Sequence, residues 1–112
     1  MESIRQNKIS RLLQKELSEI FQRELSHLRG TAMITLTRVS VTSDLSIARV
    51  YLSLFATPDK QALFEAILEN KREVRHILAG KVRKQLRAVP DLEFFIDDTL
   101  DYMEHIDKLL KQ

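Results

Sequence analysis

The sequence contains no cysteine, and it has only two glycines and two prolines among its 112 residues. The absence of cysteine excludes disulfides, thiolate metal sites and cysteine nucleophiles, and it is compatible with a reducing compartment. No apolar run approaches the roughly eighteen residues that a membrane-spanning helix needs, and the first residues lack the apolar stretch of a signal peptide. We therefore expect a soluble, cytoplasmic protein with no membrane partner.

The chain has the length of one ordinary domain, so a second independent core would be difficult to build. Hydrophobic residues make up 44% of the sequence, which is enough for one compact core. Charged residues make up 30%, but they balance to a net charge of only +2. That total says little about partners, because charge acts through its position on the surface. We predict a single domain over residues 1–112.

Residue combinations that carry chemistry are missing from the sequence. His27, His76 and His105 fall in three different predicted helices, which does not match the ligand spacing of a metal site. The acidic residues Asp97 and Asp98 fit the start of a helix better than a magnesium site. Ser40, Ser43 and Ser46 have no neighbouring histidine, and two isolated glycines cannot form a phosphate-binding loop. We predict neither an enzyme nor a cofactor, metal or small-molecule substrate.

The hydrophobic pattern of the first half predicts a long helix followed by a β-hairpin. Apolar residues recur at three- and four-residue steps over residues 3–28, with Ser3 placed to cap the helix and Gly30 placed to end it. Residues 31–42 and 45–55 then alternate with period two, which is typical of strands. The alternation changes phase within the first strand, which predicts a β-bulge near Thr37 and Arg38.

The second half predicts two helical stretches, a short strand and a closing helix. Thr57 suits an N-cap and Pro58 the first helical position, and helical character continues to about Arg87 with a kink on the way. Residues 92–96 form a third strand, and residues 100–110 form an amphipathic helix. This order predicts an α+β fold in which helices pack on one face of a three-stranded sheet.

A basic helix between Lys71 and Arg87 gives the main functional signal. Residues four apart align along a helix, and the row from Val74 to Leu86 is apolar, so it should face the sheet. Two neighbouring rows are cationic, and Glu73 is the only acid in the segment. A charged helix face is often only a solvated surface. Here, however, acids are scarce in the helix and collect at the C-terminal end, which favours binding to an RNA phosphate backbone.

The predicted RNA contacts follow from these rows. Arg75, Arg83 and Arg87 are the first candidates for phosphate contacts, and Ala79 and Gly80 between them would let a backbone come close. The remaining predicted RNA-binding residues are Arg72, His76, Lys81 and Lys84 in the same segment, Arg5, Lys8 and Arg11 in the first helix, and Arg38 in the hairpin.

Two segments resemble the ribosome-binding factor A family. Residues 39–53, VSVTSDLSIARVYLS, are similar to its hairpin signature, and residues 86–94, LRAVPDLEF, are similar to a second block. Shorter matches occur at residues 5–9, 14–17, 97–100 and 106–110, so the resemblance covers nearly the whole chain. It implies a KH-like domain of type II topology. It also implies binding to the maturing small (30S) ribosomal subunit at 16S rRNA, during late assembly and cold adaptation.

The family resemblance also implies a helix–kink–helix in place of the glycine loop of ordinary KH domains. The family marks this kink with Ala-x-Gly, whereas this sequence has Asn70-Lys71-Arg72 there, and Ala79-Gly80 is a second candidate bend. We thus predict a monomeric ribosome biogenesis factor that acts in rRNA processing. The alternative is a protein–protein adaptor that acts through the acidic C-terminal helix.

Overall fold

The computed structural model describes residues 3–30 and 32–97. The predicted closing helix at residues 100–110 lies outside this part of the chain. The elements follow the predicted order: α1 (Ile4–Glu19), a π-helical segment (Ile20–Glu24), α2 (Ser26–Arg29), β1 (Met33–Val41), β2 (Ile47–Phe55), α3 (Lys60–Glu69), α4 (Lys71–Val82) and β3 (Asp91–Ile96).

The first helical stretch begins as its sequence predicts. The Ser3 hydroxyl accepts a hydrogen bond from the Gln6 backbone N–H at 3.1 Å, and the Ser3 N–H donates to the Gln6 side chain at 2.8 Å. This reciprocal pair is a capping box. The stretch is not one uninterrupted α-helix, because the Leu25 N–H bonds five residues back to Ile20 and forms a π-helical turn. Gly30, with φ of 53°, ends the stretch.

The sheet has the order β1-β2-β3, with β2 in the centre. β1 and β2 form the predicted antiparallel hairpin, and β3 pairs parallel to β2. The register shifts between Leu36 and Arg38, so Thr37 is the extra residue of a β-bulge. The bulge confirms the predicted phase change and lets Ile34 before it and Val39 after it face the same core.

The predicted starts of β2 and of the third helix are wrong by a few residues. β2 begins at Ile47 rather than Leu45, because Leu45 has a φ of 64° and belongs to the turn. The third helix begins at Lys60, with Asp59 rather than Thr57 as its N-cap. The Asp59 carboxylate accepts a hydrogen bond from the Ala62 N–H at 3.0 Å, and a carboxylate at this position also benefits from the helix dipole.

The second helical stretch breaks at Asn70, which is both the C-cap of α3 and the start of α4. The predicted kink at residues 70–72 is therefore confirmed. The alternative bend at Ala79 and Gly80 is wrong, since both residues lie inside α4. α4 ends at Val82 rather than near Arg87, because the chain must turn there to reach β3.

One hydrophobic cluster holds the helices against one face of the sheet. The predicted inner row of β2 is buried, from Ala48 to Leu54, and so are Leu63 and Ile67 of α3. Leu68, which was predicted on the same apolar face of α3, is 42% exposed instead. The predicted α+β, KH-like fold with helices packed on one face of a three-stranded sheet is confirmed.

Candidate nucleic-acid interface

The orientation of α4 is fixed by its apolar row. Val74, Leu78 and Val82 are fully buried against the core, as their spacing predicts. Leu86, the fourth member of the predicted row, lies beyond the end of the helix and is half-buried. Because the buried row faces the core, the neighbouring cationic rows must face outward.

A shallow cavity of about 430 Å³ lies between the outer side of α4 and the segment that leads to β3. None of its lining residues is acidic, and five of them are the predicted cations or the predicted histidine. We call this cavity the cationic groove; it is lined by Arg72, Arg75, His76, Ala79, Arg83, Leu86, Arg87 and Val89.

Among the arginines that line the groove, Arg75 is the one whose guanidinium binds other parts of the described chain. Its Nη2 donates to the Val89 carbonyl at 2.8 Å, and its Nε donates to the Pro90 carbonyl at 3.3 Å. Nε also lies 3.5 Å from the Asp91 carboxylate, although both side chains are well exposed. Arg75 therefore fastens α4 to the start of β3, and this contact shapes one wall of the cationic groove.

The other arginines of the groove are not engaged in this way. Arg72, Arg83 and Arg87 are exposed, and within residues 3–30 and 32–97 their side chains form no hydrogen bond or ion pair. Their positive charge is therefore available to an external anion. Three guanidinium groups around an acid-free concavity suit the phosphate groups of a nucleic acid.

Two predicted residues of the basic segment lie outside the groove. Lys81 points towards the first helical stretch, where its Nζ lies 3.7 Å from the Glu24 carboxylate. Lys84 is exposed just after α4 but does not line the cavity. The helix therefore presents cations in more than one direction.

Of the four predicted cations outside the basic helix, only Arg5 lies next to the cationic groove. Arg5 lines a second cavity that also includes Arg87 and so adjoins the cationic groove. Lys8 and Arg11 are exposed on α1 but line neither cavity. Arg38 alternates with inward residues of β1, so it lies on the sheet face that the helices leave uncovered.

Sequence reasoning missed the second cavity, which we call the turn pocket. It has a volume of about 310 Å³ and combines residues of α1, the β1–β2 turn and the segment before β3. No local pattern could have revealed it, because its walls come from three distant parts of the chain. Its lining residues are Arg5, Ile9, Asp44, Leu45, Gln85, Leu86, Arg87, Ala88 and Pro90.

Asp44 in this pocket has an altered acidity. A hydrogen bond from the Thr42 hydroxyl, followed by bonds from the Ser46 hydroxyl and backbone N–H, lowers the pKa of Asp44 from its usual 3.8. These donors stabilise the ionised carboxylate, so Asp44 carries a negative charge at neutral pH.

Residues 3–30 and 32–97 contain no group of three or more histidine, aspartate and glutamate side chains that could hold a metal ion. In the same part of the chain, no helix is both long and apolar enough to cross a membrane.

Comparison with known proteins agrees with this geometry. The family model described as ribosome-binding factor A matches residues 5–110. This chain belongs to that family. Ribosome-binding factor A of Flavobacterium johnsoniae is 47% identical over 111 residues, covering 98% of this chain and 85% of the relative. The protein of the same name from Cytophaga hutchinsonii is 40% identical over 112 residues, covering all of this chain and 84% of the relative.

Solved structures of family members share the fold. The crystal structure of ribosome-binding factor A from Thermus thermophilus aligns with a TM-score of 0.68 at 23% identity, covering 81% of this chain and 94% of that one. A homology model of the Thermus thermophilus protein, as fitted into the cryo-EM map of a complex between 30S and ribosome-binding factor A, aligns with a TM-score of 0.63 at 29% identity. That alignment covers 77% of this chain and 88% of the other.

Proposed function

We propose that this member of the ribosome-binding factor A family binds the immature small ribosomal subunit at 16S rRNA and assists its late maturation. The observation that carries the proposal is the cationic groove, in which Arg72, Arg83 and Arg87 surround an acid-free concavity without partners in the described residues. The choice of partner is supported by the Thermus thermophilus homology model that was fitted into the map of a complex between 30S and ribosome-binding factor A.

The mechanism is binding without covalent chemistry. The protein stabilises the RNA arrangement that it binds more tightly, and it dissociates when maturation removes that arrangement. One chain builds its own hydrophobic core and the whole cationic groove, so we propose that the protein acts as a monomer in the cytoplasm. RNA structures that are kinetically trapped at low temperature would increase the need for it during cold adaptation.

The phosphate contribution can be measured through its salt dependence. Each phosphate that the groove neutralises releases condensed counterions, so the logarithm of affinity falls with the logarithm of salt concentration by about 0.7 to 0.9 per contact. Arg72, Arg83 and Arg87 together therefore predict a slope of roughly 2 to 3 from the groove alone.

Reversing two charges of the groove tests the proposal. The double substitution Arg83→Glu and Arg87→Glu should abolish co-sedimentation with purified small subunits, because it replaces attraction to phosphate by repulsion. Circular dichroism and melting should stay near wild type, since both side chains are exposed and have no partner in the described residues.

The matched control reverses two exposed cations elsewhere, Lys15→Glu and Arg23→Glu. This variant has the same net charge as the groove variant and should still co-sediment. If both variants bind equally well, or if both lose binding equally, the cationic groove is not the site. In cells, the groove variant should also accumulate precursor 16S rRNA, most strongly in the cold, while the control variant should not.

A further inference from the structure

The turn pocket differs in chemistry from the cationic groove that it adjoins. The two cavities share Leu86 and Arg87, so a strand of RNA in the groove passes the mouth of the pocket. The pocket walls are partly aliphatic, with Ile9 and Leu45 among them. The polar lining residues are Arg5, Gln85 and Arg87, which are donors, and Asp44, which contributes the carboxylate. The Asp44 carboxylate repels phosphate, so the part of an RNA that it can bind is a hydrogen-bond donor.

The Asp44 carboxylate has one oxygen that is saturated and one that is not. Oδ1 accepts hydrogen bonds from the Thr42 hydroxyl at 2.7 Å, the Ser46 hydroxyl at 2.7 Å and the Ser46 N–H at 3.1 Å. All three of these bonds end on Oδ1, and within the described residues no ion pair joins Asp44 to Arg5 or Arg87. Oδ2 is therefore an ionised acceptor that is open to a donor from outside.

The turn that carries Asp44 is held in one conformation. Leu45 adopts a φ of 64°, a backbone conformation that residues other than glycine rarely adopt. Its N–H bonds to the Thr42 carbonyl at 2.9 Å, and its side chain packs against the core. Because these contacts and those of Asp44 fix the turn, the carboxylate needs little reordering when a ligand enters.

We propose that the turn pocket receives one unpaired RNA base that carries an exocyclic amino group, namely adenine, guanine or cytosine. The inference rests on the proposed function, since the base belongs to a strand held in the cationic groove. The amino group donates to Asp44 Oδ2, the aliphatic walls contact the faces of the base, and Arg87 at the shared rim binds a flanking phosphate.

Uracil fits this site less well for an electrostatic reason. Its only ring donor, N3–H, lies between two carbonyl oxygens, and both oxygens would approach the negative carboxylate. A hydrogen bond to a charged acceptor is among the stronger ones, so its loss should weaken binding roughly tenfold. The pocket thus distinguishes amino bases from uracil, whereas the groove does not distinguish bases.

The test measures binding of the wild-type protein to short RNAs by fluorescence anisotropy. The probes are three heptamers: all uridine, the same chain with one central adenosine, and the same chain with one central cytidine. We expect the adenosine and cytidine heptamers to bind roughly tenfold more tightly than the all-uridine heptamer. Equal affinity for all three would overturn the inference.

Two variants test the pocket itself. Asp44→Asn keeps an oxygen for the Thr42 and Ser46 bonds but presents an amide donor to the pocket, so the preference should vanish or reverse towards uridine. Ala88→Phe fills the pocket from an exposed wall position and should lower the affinity of the amino-base heptamers to the all-uridine level. Because Ala88→Phe leaves Asp44 and its hydrogen bonds in place, this variant still tests the pocket if Asp44→Asn unfolds the turn. Retention of the wild-type preference by Ala88→Phe would overturn the inference.

The groove variant separates this inference from the proposed function. Arg83→Glu should weaken all three heptamers by a similar factor and leave the ratio between them unchanged. If small-subunit binding needs the groove but the heptamers show no base preference, the turn pocket is not a base site and the proposed function stands. If the groove variant co-sediments normally, the proposed function fails, whatever the heptamers show.

Discussion

Replacing Arg75 separates a structural arginine from a phosphate-binding one. The sequence ranks Arg75 with Arg83 and Arg87 as a phosphate contact, but the structure gives its guanidinium three internal partners. Substitution of Arg75 by glutamine removes the charge and cannot span the same carbonyls. The expected result is lower stability and looser attachment of the segment that carries Arg83 and Arg87.

The magnitude follows from the contacts. The bond to the Val89 carbonyl at 2.8 Å is well formed and contributes about 1 kcal/mol net. The bond to Pro90 at 3.3 Å is weaker, and the exposed pair with Asp91 at 3.5 Å adds roughly 0.2 to 0.5 kcal/mol. Together these contacts stabilise the fold by about 1 to 2 kcal/mol, and each kcal/mol corresponds to roughly 4 to 8 °C in melting temperature for a domain of this size.

The assay pairs urea unfolding with the salt dependence of small-subunit binding. Arg75→Gln should unfold at lower urea and bind more weakly with an unchanged salt slope, because the phosphate contacts remain but must be ordered on binding. Arg83→Gln is the matched control. It should keep wild-type stability within about 0.5 kcal/mol and reduce the salt slope by about 0.7 to 0.9.

The reasoning is refuted if Arg75→Gln melts like the wild type and reduces the salt slope as Arg83→Gln does. Arg75 would then bind phosphate, and its internal contacts would contribute nothing measurable. Arg75→Lys gives a further check, since it keeps the charge but loses the paired donors. It should reproduce the stability loss of Arg75→Gln.

Two further substitutions and one titration have defined outcomes. Ser10→Ala should stabilise the protein by about 1 kcal/mol in urea unfolding, because the buried Ser10 hydroxyl has no partner among the described residues. Gly80→Ala should raise the melting temperature through a gain of up to about 1 kcal/mol, because the added methyl meets open space inside α4. The pKa of the Asp44 carboxyl, followed by NMR, should lie below 3.8. The hydrogen bonds to Asp44 therefore stabilise the fold fully above pH 3.8, and this stabilisation is lost as the pH falls through the pKa of the folded protein.

The parts of the fold that were predictable are those governed by side-chain periodicity. The four-residue spacing of Val74, Leu78 and Val82 gave the orientation of α4, and the phase change in β1 gave the bulge. Ser3 was predictable as a cap, since the backbone N–H that it binds belongs to Gln6 in the same turn. In each case the deciding interaction is local, so the sequence contains it.

The parts that were not predictable depend on distant residues. Helical propensity continues past Val82, yet α4 ends there because the chain turns towards a strand that pairs parallel with β2. Lys81 fits the cationic pattern, but the packing of α4 brings it to Glu24. The choice of Asp59 over Thr57 as a cap is a competition between two suitable residues that spacing does not resolve.

The candidate site shows the same division. The cations of the groove could be predicted because most of them lie on one helix. Which of these arginines bind other parts of the chain, and which do not, could not be predicted. That separation depends on where residues 89–91 return to α4. The turn pocket was missed entirely, since Arg5, Asp44 and Ala88 meet only in the folded chain.

The bulge in β1 constrains how this strand can evolve. Thr37 has no register partner on β2; its hydroxyl bonds to the Asp97 carboxylate at 2.6 Å and lies 3.4 Å from the Tyr51 carbonyl of β2. A different polar side chain at this position would disturb little of the ladder. Deleting the residue, however, would turn either Ile34 and Leu36 or Val39 and Val41 out to solvent. The strand therefore accepts changes of identity at position 37 but not changes of length.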